Sequence, residues 1–325
     1  AALLGLPAPA RGVALRATSA EPASPPAAGP NPLVTGLLVA LWYAASIVCN
    51  QTSKTLLSTS GLGVQGLTLA QFVISALVGA ANLFVVRATP YAPLASAAQV
   101  RDTAVLAGTI TAGFGTLNAC MGAMHVSLVM VLRAAEPAVT LLLAALLLPR
   151  SALPSVRKGA MLLPVVAGAA LSSLGAHAPT APGVVLAVVC NVCFRMRGIL
   201  SKKIEANYKT DAFSEFFHLC GISAVIQAVY MGIATLFGTA LPVLPLVASL
   251  DTLAFSGASF FAYVQLSWVC LSRMSALSHS LTNSLRRPAT ILAALVLVYA
   301  PMKISPINIA GILLACAGGM LYGIL

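Results

Sequence analysis

The most constraining feature of the sequence is a series of ten apolar segments, each long enough to cross the hydrocarbon core of a bilayer as a helix. Turn signals that contain glycine or proline separate them, and several connections are short, which indicates antiparallel neighbours. The segments occupy roughly residues 33–57, 64–86, 101–124, 126–148, 156–175, 180–204, 211–238, 247–272, 277–300 and 304–325.

Composition identifies the solvent around these segments. The chain is 59% hydrophobic and 8% charged, whereas soluble domains carry about 25% charged residues. We therefore expect an all-α membrane protein whose single membrane domain, residues 33–325, is surrounded by lipid. Residues 1–32 are rich in alanine and proline and contain Arg11 and Arg16. They are predicted to be a disordered leader, similar to the remnant of a transit peptide.

Loop charges predict the orientation of the segments. Nine cations fall in loops that the segment count puts on one side, whereas the opposite loops contain Lys303. This asymmetry follows the positive-inside rule and puts both termini on the positively charged side. The nine are Arg87, Arg101, Arg150, Arg157, Lys158, Lys202, Lys203, Lys209 and Arg273.

The chain also repeats itself. Val48-Cys49-Asn50 recurs as Val189-Cys190-Asn191, and a cation, Lys54 or Arg195, follows four residues after each asparagine. Five segments make up each half, 33–175 and 180–325, and an odd number makes the halves enter the membrane from opposite sides. The sequence thus predicts ten transmembrane helices as two inverted five-helix repeats, with a substrate site between them near the midplane.

Six cations lie inside the apolar segments: Lys54, Arg133, Arg195, Arg197, Arg286 and Arg287. Each costs about 2.5–3.5 kcal/mol at the centre of a lipid-facing helix, so we expect them to face a polar cavity. Their partner is predicted to be a small, multiply charged anion, because arginine matches phosphate and carboxylate oxygens.

The geometry of a helix limits which of these cations can face the same cavity. Arg195 and Arg197 are two residues apart, about 200° around a helix, so we expect only one of them to face the cavity. Glu136 lies three residues after Arg133 and is predicted to pair with it. Tyr263 and Asn283 are predicted to add neutral hydrogen bonds to the anion.

Several classes of function are disfavoured by what the sequence contains. The net charge of +11 is not gathered into a basic face with interleaved aromatics, so we expect no nucleic-acid partner. Cys190 and Cys193 form an isolated C-x-x-C in an apolar segment, and we predict no metal and no cofactor. We recognise no hydrolase, metalloprotease or P-loop motif, and the predicted site is almost wholly cationic, so the chain is not expected to be an enzyme.

The chain resembles the plastid phosphate translocators of the triose-phosphate and phosphoenolpyruvate type, within the drug/metabolite transporter superfamily. The resemblance begins at about residue 42 and reaches the C-terminus. The stretches that carry it are Trp42-Tyr43 to Lys54, Val126-Ser127 to Glu136-Pro137, Asn191 to Lys202-Lys203, Tyr263-Val264-Gln265, and Leu271 to Arg286-Arg287.

The resemblance implies particular binding residues. Those implied for the phosphate group are Arg133, Tyr263, Arg286 and Arg287; those implied or inferred beside them are Lys54, Arg197, Thr116, Asn118 and Asn283. Arginine replaces a family lysine at 133 and 286. Phe114 and Leu117 stand where the family has polar residues that read the rest of the substrate, and Thr116 and Asn118 flank them.

The function predicted from this resemblance is counter-exchange of inorganic phosphate for a phosphorylated metabolite of three to six carbons. We expect it to proceed by alternating access in a multi-pass protein of the plastid (chloroplast) envelope membrane. Two alternatives remain open at the level of sequence. One is a nucleotide-sugar transporter of the same superfamily, and the other is an anion channel.

Overall fold

The computed structural model of the chain describes residues 31–87, 89–134, 180–208, 211–238, 250–273 and 305–324, with isolated residues at 139–171 and 282–293. Each regular element in these ranges is a helix, and a π-helical turn, Ala81–Val86, prolongs the second one. The helices are α1 (Pro32–Thr59), α2 (Gly63–Ala80), α3 (Ala97–Ala123), α4 (Val126–Ala134), α5 (Ala181–Asn207), α6 (Ala212–Leu236), α7 (Leu250–Arg273) and α8 (Pro306–Ile324).

Local sequence explains where these helices begin. The Asn31 side chain accepts a 2.9 Å hydrogen bond from the backbone N–H of Leu33, and Pro32 occupies the first helical position of α1. Asp211 caps α6 in the same way, because its carboxylate accepts from the backbone N–H groups two and three residues later. Such caps satisfy N–H groups that have no partner within the helix.

Within the described residues, six helices are long and apolar enough to cross a membrane: α1, α2 with its π-helical turn, α3, α5, α6 and α7. A shorter apolar stretch, Pro306–Gly318, forms most of α8. The prediction of an all-α, multi-spanning membrane protein is thereby confirmed for the described part of the chain. Segments 156–175 and 277–300, most of 126–148, and the predicted leader lie almost entirely outside the described residues, so the ten-helix count and the leader remain predictions.

The helices pack in a few extended pairs. α1 lies along α7, α3 lies along α5, and α2 contacts both α6 and α7. α3 also contacts α6, while α4 packs against α5 and α8. The approach of α2 to α7 depends on Gly257, where a Cβ atom would lie 2.6 Å from Cβ of Ile74. Small residues at such contacts let helices approach closely inside a membrane.

Aromatic rings fill the centre of the bundle. The rings of Phe72, Phe114 and Phe260 meet edge to face, and the centroids of Phe114 and Phe260 are 4.6 Å apart. Phe194 of α5 adds a fourth ring, 5.0 Å from that of Phe114. Edge-to-face pairs of this kind stabilise beyond the area that they bury.

A buried polar network joins α1, α2, α3 and α7. The Gln71 amide nitrogen donates to the hydroxyls of Ser53 (2.8 Å) and Ser256 (3.2 Å), and the Asn118 amide donates to Gln71 Oε1 at 3.1 Å. All four side chains are almost fully buried. Inside a low-dielectric bundle a satisfied network rigidifies the packing, because leaving any member without a partner is costly.

The two ends of the bundle differ in chemistry. At one end, the loop after α2 meets α6 through a 3.0 Å hydrogen bond from Thr89 to Asp211, and Tyr208 donates to Asp102 at the start of α3. Arg101, one of the predicted positive-side cations, lies here. A cluster of buried leucines closes the other end; its members are Leu56, Leu62, Leu67 and Leu253.

Candidate anion-binding site

A cavity of about 310 Å³ lies between α1, α4, α5 and α7. Five guanidinium groups line it, and among its described lining residues the one carboxylate is that of Glu205. Such a concentration of like charge, in walls of low dielectric, creates a strong positive potential. The five arginines are Arg133, Arg195, Arg197, Arg286 and Arg287.

Arg286 is anchored to two other helices of the bundle. Its Nη1 donates to the Ser46 hydroxyl of α1 at 2.6 Å, and its Nε donates to Asn283 Oδ1 at 3.3 Å. Its Cζ lies 5.4 Å from the centroid of the Tyr263 ring and 5.7 Å from that of Trp42. Both distances fall within the range of cation–π attraction. The guanidinium therefore has a defined place against α1 and α7.

Arg133 enters the cavity from α4. Its Cζ lies 4.3 Å from the centroid of the Phe194 ring, so α5 supplies an aromatic face for the guanidinium. The Asn191 amide, also on α5, donates to the backbone oxygen of Leu132 at 3.1 Å and ties the two helices together beside Arg133. The predicted partner Glu136 lies outside the described residues.

Arg195 and Arg197 both line the cavity, which corrects the expectation that only one of them would. The expectation used the angle between their Cα atoms, about 200°. Arginine side chains are long and flexible, and this cavity extends across the width of α5 rather than touching one edge of it. Gly198, which has no side chain, also lines the cavity and leaves space beside them.

Two other predicted residues lie with the arginines: Tyr263 and Asn283 both line the cavity.

Three predicted binding residues do not line the cavity: Lys54, Thr116 and Asn118. Lys54 donates from its ammonium group to the backbone oxygens of Met121 (2.7 Å) and Met124 (3.2 Å) at the end of α3.

Thr116 and Asn118 are the remaining two that the structure places away from the cavity. The Thr116 hydroxyl donates to backbone oxygens of its own helix, and Asn118 belongs to the buried network of Gln71. Phe114 and Leu117, which the sequence comparison singled out, are both buried in the core. Phe114 stands behind the cavity wall, in edge contact with Phe194 and Tyr263.

Sequence reasoning did not assign a binding role to several residues that line the cavity: Trp42, Phe194, Ser201, Glu205, Ser267 and Trp268. Helical spacing carries part of the missing signal. Ser201 and Glu205 follow Arg197 at four and eight residues, and Ser267 follows Tyr263 at four, so each shares a helix face with a predicted residue. Trp42 and Phe194 carry no such signal, because their role depends on arginines from other helices.

The donor set defines what the cavity can do chemically. Guanidinium groups, hydroxyls and one amide can bind an anion, and arginine forks suit the oxygens of phosphate and carboxylate. Within the described residues, no group of three or more His, Cys, Asp or Glu side chains could hold a metal ion.

A multi-spanning helical bundle with an arginine-lined cavity between its helices has the architecture of a membrane carrier for anions. The chain belongs to the Triose-phosphate Transporter family, whose model matches residues 33–323. This confirms the resemblance identified from the sequence, and it makes the chain a transporter rather than an enzyme.

Plastid translocators of plants match this chain over most of its length. The chain is 29% identical over 303 residues to phosphoenolpyruvate/phosphate translocator 1, chloroplastic, of Arabidopsis thaliana, covering 89% of this chain and 71% of the relative. It is 29% identical over 303 residues to a non-green plastid triose phosphate/phosphate translocator of Brassica oleracea var. botrytis (89% and 72%). The xylulose 5-phosphate/phosphate translocator of Arabidopsis thaliana is 24% identical over 306 residues (89% and 70%).

Proposed function

We propose that this protein exchanges a small phosphorylated metabolite, of three to six carbons, for inorganic phosphate by alternating access. The observation that carries the proposal is the set of five arginines around one cavity inside a membrane-spanning bundle. The names of the relatives support it, because each names a phosphate translocator. Their chloroplastic names also support a place in the plastid envelope.

The proposed phosphate-binding residues are Arg133, Tyr263, Arg286 and Arg287, with Arg197 and Asn283 beside them. These residues come from different helices, so no single helix forms the site. Guanidinium groups can grip phosphate oxygens in pairs, and the phenol of Tyr263 adds a neutral donor. As binding residues, Lys54, Thr116 and Asn118 stay predictions from the sequence. The proposed site does not include them, because their hydrogen bonds lie outside the cavity.

The proposed architecture is two inverted five-helix repeats, and the packing supports it. Under the repeat, α1 corresponds to α5, α2 to α6, and α3 to α7. The two most extended pairs, α1 with α7 and α3 with α5, then become each other's equivalents. The contacts of α2 with α7 and of α3 with α6 exchange in the same way, while α2 with α6 maps onto itself. A two-fold relation between the halves would produce this reciprocity, so the packing supports the proposed repeat.

The cavity has a direction across the membrane. It runs from Tyr263, in the middle of α7, to Glu205, two residues before the end of α5. That end of α5 lies beside the positively charged loops. The leucine cluster and the contact of Met124 with Gly183 close the opposite end. We infer a conformation that opens toward the positively charged side, and alternating access requires a second conformation with the opposite opening.

Strict exchange follows from the charge of the cavity. Closing an empty cavity would remove several guanidinium groups from water without an anion to offset their charge, which is costly. A bound phosphate supplies that offset and lowers the barrier to closure. The loaded carrier should therefore cross quickly and the empty carrier slowly, so that uptake on one side depends on substrate at the other.

The test is uptake of labelled phosphate by purified protein in liposomes, with and without phosphate inside. Wild-type uptake should depend on internal phosphate. Arg287→Ala should lower the exchange rate about 100-fold at low substrate, because it removes one partner of a charged hydrogen-bonded pair. A panel of phosphorylated competitors then identifies the metabolite.

The matched control is Arg101→Ala, which removes an exposed arginine outside the cavity whose ion pair is with the adjacent Asp102. This variant should exchange phosphate like the wild type. Uptake that is equally fast into phosphate-free liposomes would favour the anion channel instead. A folded wild type that ignores phosphate but exchanges nucleotide sugars would replace the proposal with that alternative.

A further inference from the structure

We propose that Ser46 is a positioning residue for substrate binding, which holds the guanidinium of Arg286 in its anion-binding orientation. The inference rests on the proposed function and adds a residue of α1 to the site. Ser46 is fully buried, and its hydroxyl accepts the 2.6 Å hydrogen bond from Arg286 Nη1. Neither the sequence pattern nor the cavity lining singles it out.

The other contacts of Arg286 complete the arrangement. Asn283 accepts from Nε, so the two hydrogen bonds use two of the five N–H donors of the guanidinium. The rings of Trp42 and Tyr263 stand at cation–π distance from its Cζ. Trp42 precedes Ser46 by four residues and therefore shares its face of α1. The donors that remain are those that a phosphate in the cavity can take.

The same face of α1 also holds the backbone near Arg286. The hydroxyl of Tyr43 donates to the backbone oxygen of Thr282, four residues before Arg286. The backbone at Thr282 and the side chain of Arg286 are thus both held by α1. An arginine side chain has many rotamers, and fixing it before the anion arrives removes the entropic cost of ordering it from binding.

The first test is the concentration dependence of phosphate exchange by Ser46→Ala. We expect the KM for phosphate to rise about three- to tenfold while the maximal rate changes little, because the cation remains but its orientation is lost. Ser223→Ala is the control. Ser223 is equally buried, and its hydroxyl donates at 3.3 Å to the backbone oxygen of Ala107, away from the cavity.

A double-mutant cycle separates positioning from a general effect on packing. In an Arg286→Lys background the ammonium group has no planar fork to orient, so Ser46→Ala should change KM by less than about twofold. An unchanged KM in folded Ser46→Ala would overturn the proposal, as would an equal effect of Ser46→Ala in both backgrounds.

A second readout does not depend on transport. The chain has two tryptophans, Trp42 and Trp268, so Trp268→Phe makes Trp42 the sole tryptophan reporter beside Arg286. Ser46→Ala should shift Trp42 emission in the same direction as Arg286→Lys, and Ser223→Ala should not. If the wild type exchanges no phosphate, the proposed function fails, and Trp42 emission still tests the contact between Ser46 and Arg286. An unshifted spectrum of Ser46→Ala would then overturn the proposal that Ser46 positions Arg286.

Discussion

The two copies of the Val-Cys-Asn motif have different roles in the folded molecule. In α1 the motif precedes Lys54, whose ammonium binds the backbone oxygens of Met121 and Met124 at the closing turn of α3. In α5 it precedes Arg195, which lines the anion-binding cavity. The same pattern therefore serves helix packing in one copy and the cavity in the other.

What lies across from each cation explains the difference. The last carbonyl groups of a helix lack partners within it and carry its negative partial charge, so the end of α3 attracts the ammonium of Lys54. The asparagines diverge in the same way. Asn50 donates to a backbone oxygen of its own helix, that of Ser46, whereas Asn191 donates to Leu132 of α4, next to Arg133. Equivalent positions in the two motif copies thus predict similar depths of the residues in the membrane. The helix that packs against each copy determines what each residue does.

The largest effect that sharpens this comparison is expected from the contact of α2 with α7, beside the place where Ser256 meets Ser53 of α1. Gly257→Ala would bring a methyl group within 2.6 Å of the branched Cβ of Ile74, so α2 and α7 must separate. We expect the free energy of unfolding to fall by about 1–3 kcal/mol, measured by thermal unfolding in detergent. Gly221→Ala on α6 has open space around it and should have little effect. Equal stability of the two variants would contradict close packing here.

A smaller effect is expected for Lys54→Met, which leaves the carbonyl groups at the end of α3 without their donor. Removing the charge also relieves its partial burial, so the net loss of stability should be about 1–2 kcal/mol. The KM for phosphate should stay at the wild-type value. Lys203→Met, an exposed control near the end of α5, should change neither quantity. A raised KM in Lys54→Met would indicate that Lys54 binds phosphate after all.

The smallest effect is expected for Arg195→Gln on the cavity side. One of five guanidinium groups is removed from a water-accessible wall, so the KM for phosphate should rise about threefold, or about 0.7 kcal/mol. The unfolding temperature should not fall. Arg273→Gln, at an exposed position outside the cavity, is the control. If Arg195→Gln lowered stability without changing KM, the two motif copies would share a structural role.

Much of the fold could be predicted from the sequence because each span is a long apolar run. The described spans begin and end within four residues of the predicted bounds. Caps such as Asn31 and Asp211 lie next to the residues that they cap, so local sequence contains their signal. Closely packed pairs such as Gly257 with Ile74 join distant segments, and no local pattern announces them.

The candidate site was predictable in part for the same reason. Arg133, Arg197, Arg286 and Arg287 are costly in lipid, and that cost alone points to a cavity. Lys54 is equally costly in lipid, but its ammonium group donates to backbone oxygens at the end of α3. A count of charges cannot distinguish such a lysine from one that lines the cavity. The prediction that only one of Arg195 and Arg197 faces the cavity was wrong, because the angle between two Cα atoms does not fix the direction of a long side chain.

By itself the sequence determined that this chain spans a membrane, which family it belongs to, and that several cations lie at membrane depth. These properties depend on composition and on residues near one another along the chain. The tertiary structure decided which cations share a cavity and which residues hold them, as Ser46 and Phe194 do for Arg286 and Arg133. Those choices depend on how helices pack and rotate against each other, and the free energy that governs packing is spread over contacts between distant segments.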